Sequence, residues 1–301
     1  MNMKIITAGL VLAFLFACSS NKQSAEEKFL QEIDSVKTEG PTISEEVIGD
    51  ILQQIPSPLE ISVLLKESGK KYNSSYLNSA DNTSKYNSSY KKALNLGIYG
   101  TDLGYTNIYE QNQDGVKYMA SIKELADDLS IGQFFEIETI GRLATNSKNL
   151  DSLLLITTQN FNSINHYLQT QSRANLSVLL LIGGWMEALH ITCEVAKLNP
   201  ENKELQETIG AQKIILENIM LLLSFYKDSD QNMASLLGDM GKLKEQFDKV
   251  SITYTYKEPT FKVVDGVMVI QDNSTSTINI TPQNIDEIRN ATQTIRTKII
   301  S

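Results

Sequence analysis

The sequence predicts a mainly α fold, an antiparallel multi-helix bundle with a small C-terminal β-hairpin or sheet appendage. Apolar residues recur at helical spacing through most of residues 44–249. The breaks between these runs are short and polar, which favours antiparallel neighbours. After residue 250 the period switches to two, with β-branched and aromatic residues alternating with polar ones.

The elements follow in chain order. Met1 to Lys4 carry one positive charge, and Ile5 to Ala17 form an apolar run, the layout of an export signal. A helix over that run rises only about 20 Å, short of a hydrocarbon core about 30 Å thick, so a removed leader is expected instead of a permanent span. Residues 18–42 are polar and read as a flexible tether. Ser44-Glu45-Glu46-Val47 opens a helix that reaches Gln54, and Ile55-Pro56-Ser57-Pro58 breaks it. A second helix runs from Pro58 to about Ser68 and stops at Gly69. Lys71-Tyr72-Asn73-Ser74-Ser75-Tyr76 recurs as Lys85-Tyr86-Asn87-Ser88-Ser89-Tyr90 around a loop at Asp81-Asn82-Thr83; two copies do not make a solenoid. Ala93 to Tyr105 reads as two helical segments, or one irregular helix, bent around its glycines. Longer helices are expected over 116–129, 132–147, 149–171, 174–198, 202–227 and 229–249. The fifth of these is so apolar from Ile214 to Phe225 that a central position is expected. Ser251–Tyr256 alternates as a strand, and Phe261–Ile270 reads as a hairpin turning at Asp265-Gly266. Thr275–Ile280 could add a strand. Thr281-Pro282 starts a last helix to Ile300, with Pro at its first position. The division is then a leader at 1–17, a tether at 18–42, a helical domain at 43–250, and a hairpin plus terminal helix packed on the bundle at 251–301.

Composition narrows the partners. The chain has 27 Lys+Arg against 36 Asp+Glu; loss of Lys4 with the leader takes the net charge from −9 to −10. No long basic run exists, which argues against nucleic acid and against an electrostatic grip on anionic lipid. Only Cys18 and Cys193 are present. With Cys18 modified, no intrachain disulfide can form, and the hydrophobic core must hold the fold.

Leu15-Phe16-Ala17-Cys18, followed by Ser19-Ser20-Asn21-Lys22-Gln23, resembles the lipobox of bacterial lipoproteins, with Phe16 where a smaller residue is usual. The resemblance implies cleavage before Cys18 and acylation of that residue, hence a membrane partner through a lipid anchor. Ser24-Ala25-Glu26-Glu27 is loosely similar to the acidic stretch that can accompany surface display in Bacteroidetes-type bacteria. Ala93 to Leu103, together with Gly183-Gly184-Trp185-Met186-Glu187, looks like a group of uncharacterised helical lipoproteins of Bacteroidetes-type bacteria. That likeness covers most of residues 45–250. It implies a helical fold and a cell-envelope location, with the outer membrane favoured on either its periplasmic face or the cell surface. It implies no activity.

Three groups of residues are candidates for chemistry. Eight of the twelve tyrosines lie between positions 72 and 118, interleaved with asparagines. Such residues suit a surface that stacks on sugar rings or grips a peptide; at i,i+4 spacing they equally cover helix faces at the core's edge. The binding reading requires Tyr99, Tyr105 and Tyr109 to share an exposed groove. Second, Gly183-Gly184 inside an apolar helix points to a close helix contact or a kink. Trp185, Glu187 and His190 follow it. Glu187 and His190 form the Glu-x-x-His step of di-iron bundles, and Cys193 extends it. His166 has Ser163 where a second motif needs an acid, so no metal and no cofactor is expected. Third, Asp102, Asp127-Asp128, Glu136 and Glu138 could supply a carboxylate pair, although solvated helix faces explain them more simply. Gly-x-Ser-x-Gly, phosphate-loop, His-Glu-x-x-His and dinucleotide fingerprints are all absent from the sequence, so no catalytic residue is named. The candidate ligand-binding set is Tyr99, Asp102, Tyr105, Tyr109, Trp185, Glu187 and His190. The expected function is a membrane-anchored, non-enzymatic domain that binds a protein, peptide or glycan or acts as a scaffold. The alternative is a small carboxylate-based envelope hydrolase acting on a glycan or peptide, with Asp102 and Glu187 facing one pocket.

Overall fold

Seven long helices and two short antiparallel ladders make up the described part of the chain. A computed structural model describes residue 51 and residues 64–135, 150–264, 267–271 and 273–301. The expected leader and tether lie outside these, as do residues 136–149 and the Asp265-Gly266 turn, and of the helix expected at 44–54 only residue 51 is described, as helical. Only residues 64–67 of the second expected helix are described, and they are helical.

After two 3-10 turns, Ser74–Tyr76 and Ala80–Lys85, helix α1 spans Ser89–Ile108. The Ser88 hydroxyl caps it by accepting from the Lys91 N–H at 3.2 Å. It is one helix, not two segments bent around glycines. Helix α2 spans Asn112–Asp128, α3 spans Leu150–Thr170 and α4 spans Ala174–Lys197. Glu110, Ser130 and Ser172 all adopt positive φ. At each, the next N–H reaches five residues back, as Gln111 does to the Thr106 carbonyl at 2.9 Å. These are left-handed helix ends of the kind glycine usually supplies. The sequence offers no glycine there, and the breaks are legible only as polar gaps. Where a helix was expected at 132–147, the described part is a 3-10 turn, Gly132–Phe135.

Helix α5 spans Lys203–Ser224 and α6 spans Gln231–Phe247; Asn202 and Asp230 cap them through their side chains. On α6 the buried residues Met233, Leu236, Met240, Leu243 and Phe247 follow three-and-four spacing. The central helix is α4, buried on every side, not α5. The inward stripe of α5 runs through Leu205, Ile209, Leu216, Ile219 and Leu223, which leaves Ile214 and Leu221 exposed. Helix α4 is also long and apolar enough to cross a membrane. Its most apolar stretch is 94% buried by the rest of the protein, as befits a core helix.

The tightest packing is α1 on α4. A methyl group at Gly97 would stand 1.9 Å from the Leu180 carbonyl oxygen, and one at Gly183 would stand 1.9 Å from that of Leu94. Two backbones therefore touch directly. The Thr101 hydroxyl adds a bond across the gap to the Gly184 carbonyl at 3.0 Å. The close contact expected of the paired glycines is present, and its second half is Gly97.

Strands β1 (Ser251–Thr255) and β4 (Thr275–Asn279) pair antiparallel, from Ser251↔Asn279 to Thr255↔Thr275. Nested between them, β2 (Thr260–Val264) and β3 (Val267–Gln271) pair from Thr260↔Gln271 to Val264↔Val267. The expected hairpin and additional strand are thus two ladders of one arm. Its root rests on α5, where Ile278 packs over Gly210, and the Lys213 ammonium donates to the Val250 carbonyl at 2.8 Å. Helix α7, Pro282–Ile300, starts with a capping box between Thr281 and Asn284 and with Pro at the expected place. It lies against α4, α6 and α1.

Gly97→Ala or Gly183→Ala should therefore lower unfolding free energy by about 3 kcal/mol or more, the upper end of overpacking costs. Gly100→Ala, three residues further along α1 and facing open space, should raise it by up to about 1 kcal/mol. Urea unfolding of the three variants measures the contrast.

Candidate functional site

The polar residues singled out from the sequence converge only in part. Asp102 of α1 and Glu187 and His190 of α4 meet under the 3-10 segment, and Arg296 of α7 joins them. Arg296 grips Glu187 with two bonds, Nε to Oε2 at 2.5 Å and Nη2 to Oε1 at 2.6 Å. Both side chains are buried, with Glu187 fully so. Arg296 Nη2 also donates to the Tyr76 carbonyl at 3.1 Å, and His190 Nε2 lies 3.2 Å from the same oxygen. A carbonyl can only accept, so the His190 proton sits on Nε2. Burial lowers the His190 pKa and keeps the ring neutral.

Of the two acids only Glu187 bonds the guanidinium. Burial, and then the charge of Glu187, raise the Asp102 pKa well above 3.8. Asp102 Oδ2 accepts from the Asn78 N–H at 3.2 Å, while Oδ1 is buried with no donor facing it. A proton on Asp102 would supply the missing donor, with neighbouring Glu187 to accept it. In that state the cluster is one cation, one anion, one neutral acid and one neutral imidazole, with no net buried charge, the form a low-dielectric interior favours.

Asn78 organises the space above. Its amide donates to the Tyr86 hydroxyl at 2.8 Å and to Asn95 Oδ1 at 3.3 Å; its carbonyl accepts from the Tyr118 hydroxyl at 2.8 Å. Asn95 in turn donates to the Ile299 carbonyl at 3.0 Å, tying α1 to α7. Tyr99 donates to the Ser79 carbonyl at 2.8 Å. Burial pushes the hydroxyls of Tyr86, Tyr99 and Tyr118 up, so all three stay neutral hydrogen-bonding groups.

The expected exposed groove of Tyr99, Tyr105 and Tyr109 is absent. Tyr99 and Tyr105 are fully buried, and the Tyr109 hydroxyl is buried as well. The tyrosines form two clusters of tilted rings, the first buried and the second half-buried around Tyr105. Tyr86, Tyr99 and Tyr118 make one, and Tyr72, Tyr105 and Tyr109 the other, with ring centroids 4.8 to 6.3 Å apart. They cover the core where the 3-10 turns supply few aliphatic side chains. Trp185 points elsewhere, donating to Gln212 Oε1 of α5 at 2.9 Å. Cys193 is buried, and burial raises its thiol pKa. Among the described residues no group of three His, Cys, Asp or Glu side chains is placed to hold a metal ion. Asp127 pairs with Lys123, and Asp128 with Lys92 at 2.6 Å. Glu136 and Glu138 lie outside the described residues.

Asp102 and Glu187 do come together, as the hydrolytic alternative requires. Both are completely buried, Asp102 held by the Asn78 N–H and Glu187 by Arg296, and neither faces solvent. An open cleft of about 520 Å³ lies instead at the root of the arm, lined by Lys203, Glu207, Lys249, Asn279, Thr281 and Asn284 among others. There Lys249 is paired with Glu287 at 2.7 Å, and Asn284 is engaged in the cap of α7.

Sequence reasoning missed Arg296, Asn78 and Tyr86. Arg296 carried a signal: it sits on the inward stripe Ile285, Ile288, Thr292, Ile299 of an otherwise polar helix. A lone cation on such a stripe and a lone Glu in an apolar helix are complementary orphans. Asn78 carried no signal beyond its place in the Tyr/Asn-rich segment. No protein-family model matches the chain, and neither a curated protein nor a solved structure matches it significantly.

Two outcomes are expected. Glu187→Gln or Arg296→Met, each leaving one charge buried alone, should cost about 3–5 kcal/mol, whereas the double variant Glu187→Leu/Arg296→Met should recover most of it. The pH dependence has two arms. Folding raises the Asp102 pKa, so its contribution is full below 3.8 and declines as pH rises above that value. Folding lowers the His190 pKa, so its contribution is full above 6.5 and declines as pH falls below it. Asp102→Asn, which keeps a donor towards Glu187, should abolish the first decline and leave the second, read from urea midpoints across pH 3 to 8.

Proposed function

We propose that this chain is a lipid-anchored cell-envelope protein whose helical body presents the β arm as a non-enzymatic contact surface. The lipobox-like Leu15-Phe16-Ala17-Cys18 supports the anchor. The observation that carries the contact surface is the exposure of five large apolar side chains on the arm: Tyr254 62%, Tyr256 66%, Phe261 65%, Met268 68% and Ile270 66%. Phe261 and Ile270 stand directly opposite each other, and Met268 is two residues from Ile270, so these three share one face of the inner ladder. An isolated two-stranded ladder is marginal in water, and an uncovered apolar face on one marks an interaction site.

The polar cluster at Asp102, Glu187, His190 and Arg296 then serves the body and not a ligand. It is closed, neutral and joined to three helices, and its role is to hold α7, and with it the base of the arm, in place. In this reading the body is a rigid support and the arm is the working part.

Cys18→Ser should move the protein from the membrane fraction to the soluble fraction and delay signal cleavage. Mass spectrometry of the wild-type product should find acyl chains on residue 18. A wild-type product with residue 18 unmodified and the leader attached contradicts the anchor.

A further inference from the structure

We infer that the arm's apolar face binds a second copy of the same chain, joining two anchored molecules arm to arm. This rests on the reading of the arm as a contact surface and names its occupant.

The open edges of the arm decide between lipid and polypeptide. Among the described residues both ladders have only two strands, so each strand leaves one row of backbone N–H and C=O groups without a partner strand there. Such edges are not carried into hydrocarbon, where nothing can satisfy them. Charge points the same way. The arm holds Lys257 and Lys262 with Glu258, Asp265 and Asp272, not the basic cluster that an anionic membrane recruits. A strand from another polypeptide satisfies an open edge and covers an apolar face at once.

The second copy is favoured by symmetry, area and concentration. A face with Phe261 opposite Ile270 can meet itself across a two-fold axis, and charges of both signs on the arm allow Lys on one copy to face Asp or Glu on the other. The three side chains that share the face, each about two-thirds exposed, present roughly 350 Å² of apolar surface. The remainder of the roughly 800 Å² per partner of a stable interface falls to the strand edges and polar residues around them. Anchoring confines all copies to one surface, which raises their effective concentration for one another.

The test uses the full precursor in a bacterium that processes lipoproteins. Ile270→Cys places a thiol on the proposed interface, and Val116→Cys places one on α2 at a similarly exposed position. The unsubstituted chain serves as the blank for Cys18 and for buried Cys193. On mild oxidation of intact cells, Ile270→Cys should give a species of twice the chain mass, at least tenfold more than Val116→Cys does. Adding Phe261→Ser should remove most of it. Equal cross-linking of the two variants, or none with Ile270→Cys, overturns self-association. In that event, reaction of Ile270→Cys with an aqueous maleimide separates the failures. Protection means that the arm is covered by something else and the contact-surface reading stands; free labelling means that this reading falls too.

Discussion

The architecture hangs on a bidentate ion pair closed inside the protein. Glu187 enters from a helix that is apolar on every side, and Arg296 enters from the inward stripe of another. Among the described residues neither charge has an alternative partner of opposite sign in bonding contact, and each alone would cost several kcal/mol. The pair therefore fixes the rotation of α7 about its axis and its height along α4. The raised pKa of Asp102 lets a second acid sit beside the first without adding charge when it holds its proton. The shared Tyr76 carbonyl then draws the 3-10 segment down onto the pair, and Asn78 orders the tyrosines around it.

That arrangement requires α1 and α4 to lie unusually close, and two glycines provide the approach. With side chains at Gly97 and Gly183, the helices would separate and Asp102 would move away from Glu187. The glycines and the polar cluster thus depend on each other, although they differ in chemistry. Thr101, one residue before Asp102, links them by bonding the Gly184 carbonyl.

Much of the fold was legible from periodicity, because seven of the helices bury a stripe or a whole surface, and both ladders alternate. Hydrophobic density is not burial: Ile214 and Leu221 raise the apolar content of α5 but fall off its inward stripe, so the central place goes to α4. The three left-handed helix ends were invisible because Glu and Ser do not advertise that conformation. For the site, Asp102, Glu187 and His190 were recognisable as out-of-place polar residues, but the meaning was reversed. Their spacing suggested a ligand, whereas the missing partner was an arginine far along the chain. Tyr99 and Tyr105 illustrate the same ambiguity. A Tyr is equally at home at a wet surface and in an interior with a carbonyl in reach, and only the fold decides between them.

The separation of Glu187 from Arg296 also has a bearing on how the protein comes to be folded. The acid is synthesised 109 residues before its cation. Until α7 docks, α1 and α4 hold two carboxyl groups with no cation beside them. Native closure thus waits on a long-range encounter, of the kind that slows folding.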